Sequence, residues 1–224
     1  MKNKSSNNNY LDLVNGIIDK YNKFLLSKSS NEEEATDIEK SLIGLWSISR
    51  DNLYFIMNNI HIKGNYYACV GSTRLILECS VASHKLVKSK NKYAKDFFNN
   101  QEKIRSDIEK SRWDAFTSGR ISKYGNLSFG KKMQENIEEV FNKDAVGAYN
   151  YLCFYTHPNI ASYRWWLEDN KGIHTRYLLG INNKILGSLI LVLEKHFGRD
   201  KMANKWLQQL KDVDGRLEEQ WQKQ

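Results

Sequence analysis

The chain has 224 residues, of which 41% are hydrophobic and 27% are charged, with 1 proline and 13 glycines. So few turn-forming residues exclude an all-β sandwich or barrel and predict an all-α fold with long helices. The net charge of +8 permits binding to nucleic acid or to another polyanion. The same charge also fits codon bias in an AT-rich genome, since Lys, Asn and Ile are abundant throughout.

The first half of the chain predicts four helices. The polar segment Met1 to Asn9 is expected to be disordered. A first helix follows from about Tyr10 to Leu26, and a second carries apolar residues from Ile38 to Ile60, with its start signal among Ser29, Ser30 and the glutamates at 32–34. The third, Tyr66 to Val87, is apolar on nearly every side and is predicted to be the central helix. A fourth, about Lys92 to Phe116, carries mixed charges and is expected to be solvated.

The second half begins with the longest irregular segment, Thr117 to Gly130. Helices are then predicted at about Lys131 to Asn142, Asp144 to Thr156, Arg176 to Phe197 and Asp200 to Gln222. The last has an amphipathic stripe suited to packing on the bundle or on a partner. We expect a single helical domain over residues 10–224, with a core at about 38–158 and a C-terminal extension at about 176–222.

Cysteine usage and hydropathy predict a cytoplasmic protein. The three cysteines lie in apolar helical text without C-x-x-C spacing, so they are expected to be reduced core residues. We find no signal peptide and no uninterrupted apolar run long enough to span a bilayer, because Asn182, Asn183 and Lys184 break the longest one. No membrane partner, metal or other cofactor is predicted.

Two charged residues stand out in the apolar third helix. Arg74 and Glu78 are spaced i,i+4, so they share one face of that helix. Burying either charge alone costs several kcal/mol, roughly, so the two side chains are expected to pair with each other or with another polar group. A structural ion pair and a functional site are both consistent with this pattern.

The protein's one proline follows His157 directly. Because proline ends the helix before it, His157 is predicted to lie at the C-terminal edge of an aromatic-rich helix. The helix dipole favours a protonated imidazole there, so His157 is a candidate proton carrier or phosphate contact. The other histidines are expected to be ordinary helix-end or solvated residues.

The pair Arg74 and Glu78, followed later by Tyr149, Tyr155 and the His157-Pro158 dipeptide, resembles a family of poorly characterised bacterial all-helical proteins. These are similar to HEPN bundles, several of which occur in phage-defence and toxin loci. The resemblance covers about Leu42 to Pro158. It implies a helical bundle, often dimeric, and in catalytically competent members a metal-independent ribonuclease.

In the chemistry implied by this resemblance, an arginine stabilises the phosphoryl transition state and a histidine moves a proton. Here Arg74 would take the first role and His157 the second, with Glu78 orienting Arg74. The chain departs from the usual pattern, because no arginine is followed by four to six residues and then a histidine on one helix. The three residues must therefore converge from two helices.

Several other residues are candidates for holding RNA. The segment Gly125 to Lys132 has the spacing of a phosphate loop but lacks its Ser or Thr and a preceding strand, so an ATPase is not indicated. Lysine and arginine side chains near it can instead contact a phosphate backbone. Aromatic rings can stack bases, although packing on the bundle is the more common use of such rings. The nucleic-acid-binding candidates are Arg120, Lys123, Lys131, Lys132, Tyr155, Arg164 and Trp165.

Three functions fit this sequence. The first is a bacterial defence or toxin-type effector that cleaves RNA. The second is a non-catalytic subunit that senses a ligand or nucleic acid in a defence complex. The third is an interaction scaffold in which the polar residues form only a buried network. A homodimer or a heteromeric defence complex is expected in each case.

Overall fold

The computed structural model describes residues 4–28, 35–62, 65–89, 133–156, 172–198 and 204–212. Within these ranges every regular element is an α-helix and none is a β-strand, which confirms the all-α prediction. The helices are α1 (Lys4–Lys28), α2 (Asp37–Asn59), α3 (Tyr66–Ser89), α4 (Met133–Val140), α5 (Lys143–Thr156), α6 (Ile173–Phe197) and α7 (204–212).

Several helix bounds differ from those predicted. Helix α1 begins at Lys4, so it extends into the segment that the composition marked as disordered. Helix α6 begins at Ile173 rather than Arg176. The predicted helix from Lys92 to Phe116 and the glycine-punctuated segment after it lie outside the described residues. Of the predicted last helix, Asp200 to Gln222, the structure describes residues 204–212.

Helix α2 begins with a capping box that the sequence analysis missed. The Thr36 hydroxyl accepts a hydrogen bond from the Glu39 backbone N–H at 3.3 Å, and the Glu39 carboxylate accepts one from the Thr36 backbone N–H at 2.7 Å. These two bonds satisfy the backbone N–H groups of Thr36 and Glu39, which have no partner at the start of an uncapped helix. The helix therefore starts at Asp37, and its start signal is the pair Thr36 and Glu39.

Helix α3 is the central element, as predicted. It packs against α2, α4, α5 and α6. Because neighbouring helices cover several faces of α3, its sequence is apolar on nearly every side and shows no single solvent-facing stripe. The buried apolar residues of α3 are Tyr66, Cys69, Val70, Ile76, Leu77, Cys79, Val81, Ala82 and Leu86.

The contacts along α3 fix the direction of its neighbours. Asn182 donates to the Thr73 hydroxyl at 2.9 Å, and the Ser80 and Ser188 hydroxyls lie 3.4 Å apart further along, so α3 and α6 run parallel. Near the start of α3, Tyr66 packs its ring against Tyr155 at the end of α5, and further along α3 Arg74 contacts Tyr149, so α5 runs antiparallel to α3. Helices α5 and α6 therefore flank α3 with opposite directions.

Helices α1 and α7 complete the core. Trp46 of α2 donates from Nε1 to Asn22 of α1 at 3.2 Å, which satisfies a buried indole N–H. Tyr21 of α1 packs edge-on against both Trp46 and Trp206, the latter from α7. The predicted C-terminal stripe is thus buried where it is described, at Trp206 and Leu210.

The hydropathy of helix α6 also differs from the prediction. By length and composition it could cross a membrane, with a mean hydropathy of 1.3 over its most apolar window. Asn182 and Asn183 do not interrupt the helix, and both are buried. In this fold 67% of that window is buried inside the protein, as in the core helix of a bundle.

Candidate functional site

Four side chains from α3 and α5 form the Arg74 cluster: Arg74, Glu78, Tyr149 and Thr156. Arg74 Nε donates to Glu78 Oε1 at 3.0 Å, as the i,i+4 spacing predicts. Arg74 Nη1 donates to the Thr156 hydroxyl and Nη2 to the Tyr149 hydroxyl, each at 3.4 Å. The ion pair is therefore close, whereas the two hydroxyl contacts are longer than ordinary N–H···O bonds.

Tyr149 contacts both charges of the pair. Its hydroxyl lies 3.4 Å from Glu78 Oε1, to which it donates, and its ring centroid lies 5.5 Å from Arg74 Cζ. A phenol has one proton and two lone pairs, so it can donate to Glu78 and accept from Arg74 at the same time. Tyr149 thereby bridges the cation and the anion from the opposite helix.

The Arg74 cluster is half-buried. The side chains of Arg74 and Glu78 are 33% and 21% exposed, so solvent and an incoming anion can reach the guanidinium. A guanidinium has five N–H donors, and three are used within the cluster. Two N–H groups of Arg74 thus have no partner among the described residues.

Burial and neighbouring charges set the protonation of the cluster. Burial, with Glu78 and Cys153 nearby, raises the pKa of Tyr149 to about 12, and Arg74 opposes this rise only in part. Burial also disfavours the charged guanidinium, but the Glu78 hydrogen bond and the Tyr149, Cys153 and Glu78 groups outweigh it, so the pKa of Arg74 is raised. Near neutral pH the cluster holds a charged arginine beside a neutral phenol.

Helix α5 ends directly before the His157-Pro158 dipeptide of the predicted site. Thr156 is the last residue of α5, and its hydroxyl also donates to the Cys153 backbone carbonyl at 3.0 Å. His157 and Pro158 follow Thr156 in the sequence but lie outside the described residues. The structure therefore brings Arg74 and Glu78 together with Thr156, and the prediction for His157 lies outside the described residues.

A second polar group, the tyrosine–histidine cluster, consists of Tyr66, Tyr151, Tyr155 and His174. The Tyr66 and Tyr151 hydroxyls lie 2.6 Å apart, and the Tyr151 hydroxyl lies 2.9 Å from His174 Nδ1. The Tyr155 hydroxyl is 3.4 Å from the same nitrogen. These contacts join the N-terminal ends of α3 and α6 to the last two turns of α5.

The two clusters lie on different flanks of α5. Successive residues turn by about 100° around a helix, so Tyr149 and Thr156 share one face. Tyr151 and Tyr155 share another face, well over 100° away on the same geometry. His174 therefore contacts one face of α5 and Arg74 contacts another, with buried Leu152 between the two faces.

This arrangement corrects two predictions. Tyr155 was a candidate for stacking a base, but its side chain is 2% exposed and packs edge-on against Tyr66, so its faces are covered. His174 was expected to be solvated, but it lies among tyrosines. The i,i+4 spacing of Tyr151 and Tyr155 on one face was the sequence signal for this cluster.

His84 occupies a third polar position, in the seam between α3 and α6. Its Nε2 lies 2.8 Å from the Ser188 hydroxyl, and its ring packs edge-on against Phe141. Burial lowers the pKa of His84, and nearby Lys195 adds to this, while the Ser188 hydrogen bond opposes it. The sequence predicted His84 to be a helix-end residue, whereas the structure places it between α3 and α6, where burial favours the neutral imidazole.

The other predicted site residues cannot be placed. Five cationic candidates for RNA contact and the aromatic candidate Trp165 lie before α4 or between α5 and α6, outside the described ranges. Among the described residues, no group of three or more His, Cys, Asp or Glu side chains is placed to hold a metal ion. The residues that the structure does not describe are Arg120, Lys123, Lys131, Lys132, Arg164 and Trp165.

The described cysteines carry no disulfide. Cys69 and Cys79 are buried and Cys153 is half-buried, all as free thiols. Burial raises the pKa of Cys69 to about 11 and that of Cys79 to about 12. Both buried thiols therefore stay protonated near neutral pH, as expected for core residues.

Comparison with known proteins finds no matching family model, no matching curated protein and no matching solved structure.

Proposed function

We propose that this protein is a bacterial defence or toxin-type effector that acts on RNA as a metal-independent endoribonuclease with a HEPN-like fold. One observation carries the proposal: Arg74 contacts Thr156, the residue directly before His157. The central arginine of α3 and the chain that leads into the His-Pro motif thus meet at one place. The proposed reaction needs Arg74 and His157 close together, and the contact supports the proposal because Thr156 precedes His157 directly in the sequence.

The proposed reaction uses the ribose 2′-hydroxyl as the nucleophile. The 2′-oxygen forms a bond to phosphorus while the bond from phosphorus to the 5′-oxygen breaks, which leaves a 2′,3′-cyclic phosphate and a 5′-hydroxyl. His157 moves a proton at one of these two oxygens, and water completes the exchange at the other. Arg74 stabilises the charge that develops on the phosphoryl oxygens, and Glu78 holds Arg74 in place.

The geometry of Arg74 fits that role. The side chain is charged, one-third exposed, and has two N–H groups without partners in the described part of the chain. Its contact with the Thr156 hydroxyl is long, at 3.4 Å, so this contact can yield to a phosphate oxygen at small cost. The fixed bond to Glu78 meanwhile keeps the guanidinium at this position.

The second candidate is a non-catalytic subunit that binds nucleic acid or another ligand in a defence complex. It is favoured by the close Arg74–Glu78 pair, because the Glu78 carboxylate offsets the positive charge that Arg74 would offer to a phosphoryl transition state. In either case we propose a cytoplasmic protein that acts as a homodimer or within a heteromeric complex, without a membrane partner. A pure scaffold is the third alternative.

The decisive experiment incubates purified protein with a mixed RNA pool that includes transfer RNA, in the presence of a chelator. We expect cleavage by the wild-type protein and by Arg50→Lys, since Arg50 pairs with Asp51 on α2, away from the Arg74 cluster. We expect cleavage to be lost in His157→Ala and Arg74→Lys, with circular dichroism unchanged. Arg74→Lys keeps the charge but loses the planar fork of donors.

Three outcomes would contradict the metal-independent nuclease. Cleavage that disappears with chelator would show metal-dependent chemistry. An intact RNA pool, together with RNA binding that weakens in Arg74→Lys, would support the binding subunit instead. An intact pool without any binding would support the scaffold.

A further inference from the structure

We infer that Tyr149 is a positioning residue for Arg74: its hydroxyl holds the guanidinium and the Glu78 carboxylate in one arrangement. The inference rests on the proposed function for its catalytic consequence. Its structural part stands on the contacts of Tyr149 alone. Tyr149 lies on α5, whereas both charged residues lie on α3, so it fixes the pair from outside its own helix.

The geometry restricts what Arg74 can do without Tyr149. The Arg74–Glu78 bond is a local i,i+4 contact through Nε, and such a contact leaves the plane of the guanidinium free to tilt about that bond. The Tyr149 hydroxyl engages Nη2 and Glu78 Oε1 together, each at 3.4 Å. Thr156 contacts only Nη1, whereas the Tyr149 hydroxyl contacts both the guanidinium and the carboxylate, so it restricts the tilt of one relative to the other.

The phenol ring contributes a separate interaction. Its centroid lies 5.5 Å from Arg74 Cζ, within the range of a cation–π contact. A phenylalanine keeps the ring and loses only the bridging oxygen. Tyr149→Phe is therefore the substitution that separates the positioning hydroxyl from the packing of α5 on α3.

Orientation of the guanidinium decides which of its N–H groups point at a phosphate. Small misplacement of a stabilising group costs rate far more than it costs substrate binding. We therefore expect Tyr149→Phe to lower kcat for RNA cleavage by roughly ten- to a hundredfold. KM is expected to stay unchanged, because the charge and ring of the site remain.

The matched control is Tyr54→Phe. Tyr54 also donates its hydroxyl to a carboxylate, Asp19, and burial raises its pKa to about 12, as for Tyr149. It joins α2 to α1, away from the Arg74 cluster. A loss of kcat confined to Tyr149→Phe supports the inference, whereas equal kcat in both variants, or a KM effect alone, overturns it.

A second measurement decides the inference without RNA. The Arg74 Nε–H signal in NMR reports how tightly the guanidinium is held, through its exchange with water. We expect faster exchange in Tyr149→Phe and unchanged exchange in Tyr54→Phe. Unchanged exchange in Tyr149→Phe overturns the positioning role of Tyr149. Absence of cleavage by the wild-type protein overturns the proposed function, and the NMR result then decides the positioning role by itself.

Discussion

Arg74 Nη1 donates to the Thr156 hydroxyl at 3.4 Å, although 82 positions separate the two residues in the chain. This contact ties the middle of α3 to the last residue of α5. Each side chain also has a partner on its own helix. Glu78 holds the Arg74 guanidinium, and the Cys153 carbonyl accepts from the Thr156 hydroxyl. The seam between α3 and α5 is therefore held by polar contacts as well as by its apolar core.

The Arg74–Glu78 pair is expected to contribute little to stability. Both side chains are partly exposed, and exposed pairs at i,i+4 are screened by solvent. A double-mutant cycle with Arg74→Met and Glu78→Gln, followed by urea unfolding, should give a coupling of about 0.5 kcal/mol. A coupling of about 3 kcal/mol would instead indicate a desolvated pair whose main role is structural.

Acid should weaken the seam between α3 and α6 through His84. Its pKa is lowered in the folded protein, so between that pKa and the unfolded value of about 6.5 the unfolded chain binds more protons. The free energy of unfolding therefore falls as the pH drops below about 6.5 and levels off below the folded pKa. Urea unfolding at several pH values should show this fall in the wild-type protein.

The controls for this pH effect are two histidine variants. His84→Gln cannot be protonated, so its unfolding free energy should change less between about pH 7.5 and pH 5.5 than that of the wild-type protein. His61→Gln replaces an exposed histidine and should retain the wild-type slope. Identical slopes in all three proteins would rule out His84 as the source.

Removal of the α2 capping box should destabilise the protein measurably. Thr36→Ala loses the hydroxyl that accepts from the Glu39 N–H, which typically costs about 1 kcal/mol. Thr36→Ser keeps an oxygen at the same position and should be close to wild type. Equal losses in both variants, measured by urea unfolding, would show that the cap does not act through its hydroxyl.

Thiol reactivity should distinguish the three cysteines. Cys69 and Cys79 are buried with raised pKa values, so few thiolates are available there near neutral pH. A colorimetric thiol reagent should modify one thiol per native chain quickly and the other two only on unfolding. Cys153→Ser should remove the fast phase; a fast phase that persists would contradict the burial of α3.

The sequence predicts the helices well because their pattern is local. The apolar spacing of α3 identifies it as the central helix, and the i,i+4 spacing identifies the Arg74–Glu78 pair. Helix starts are harder, as Thr36 shows, because three glutamates upstream imitate an acidic first turn. Propensity alone also marks a polar N-terminus as disordered where α1 in fact begins at Lys4.

The site is less predictable because its contacts depend on how α5 is rotated. Nothing local states that Tyr149 and Thr156 face Arg74 while Tyr155 turns into the core. A one-residue error in that rotation turns the helix by about 100° and exchanges one cluster for the other. The partner of His84 is likewise on α6, 104 positions away, and the partners of His174, which begins α6, are on α5 and α3.

The parallel arrangement of α3 and α6 has a consequence for how the chain folds. Thr73 and Asn182 are bonded across 109 positions, and Tyr21 of α1 donates to the Ile190 carbonyl across 169. Such contacts close very long loops, whose entropy cost precedes any gain from packing. On the ribosome α1 to α3 emerge well before α6, so their α6-facing surfaces stay unpaired until the last quarter of the chain arrives.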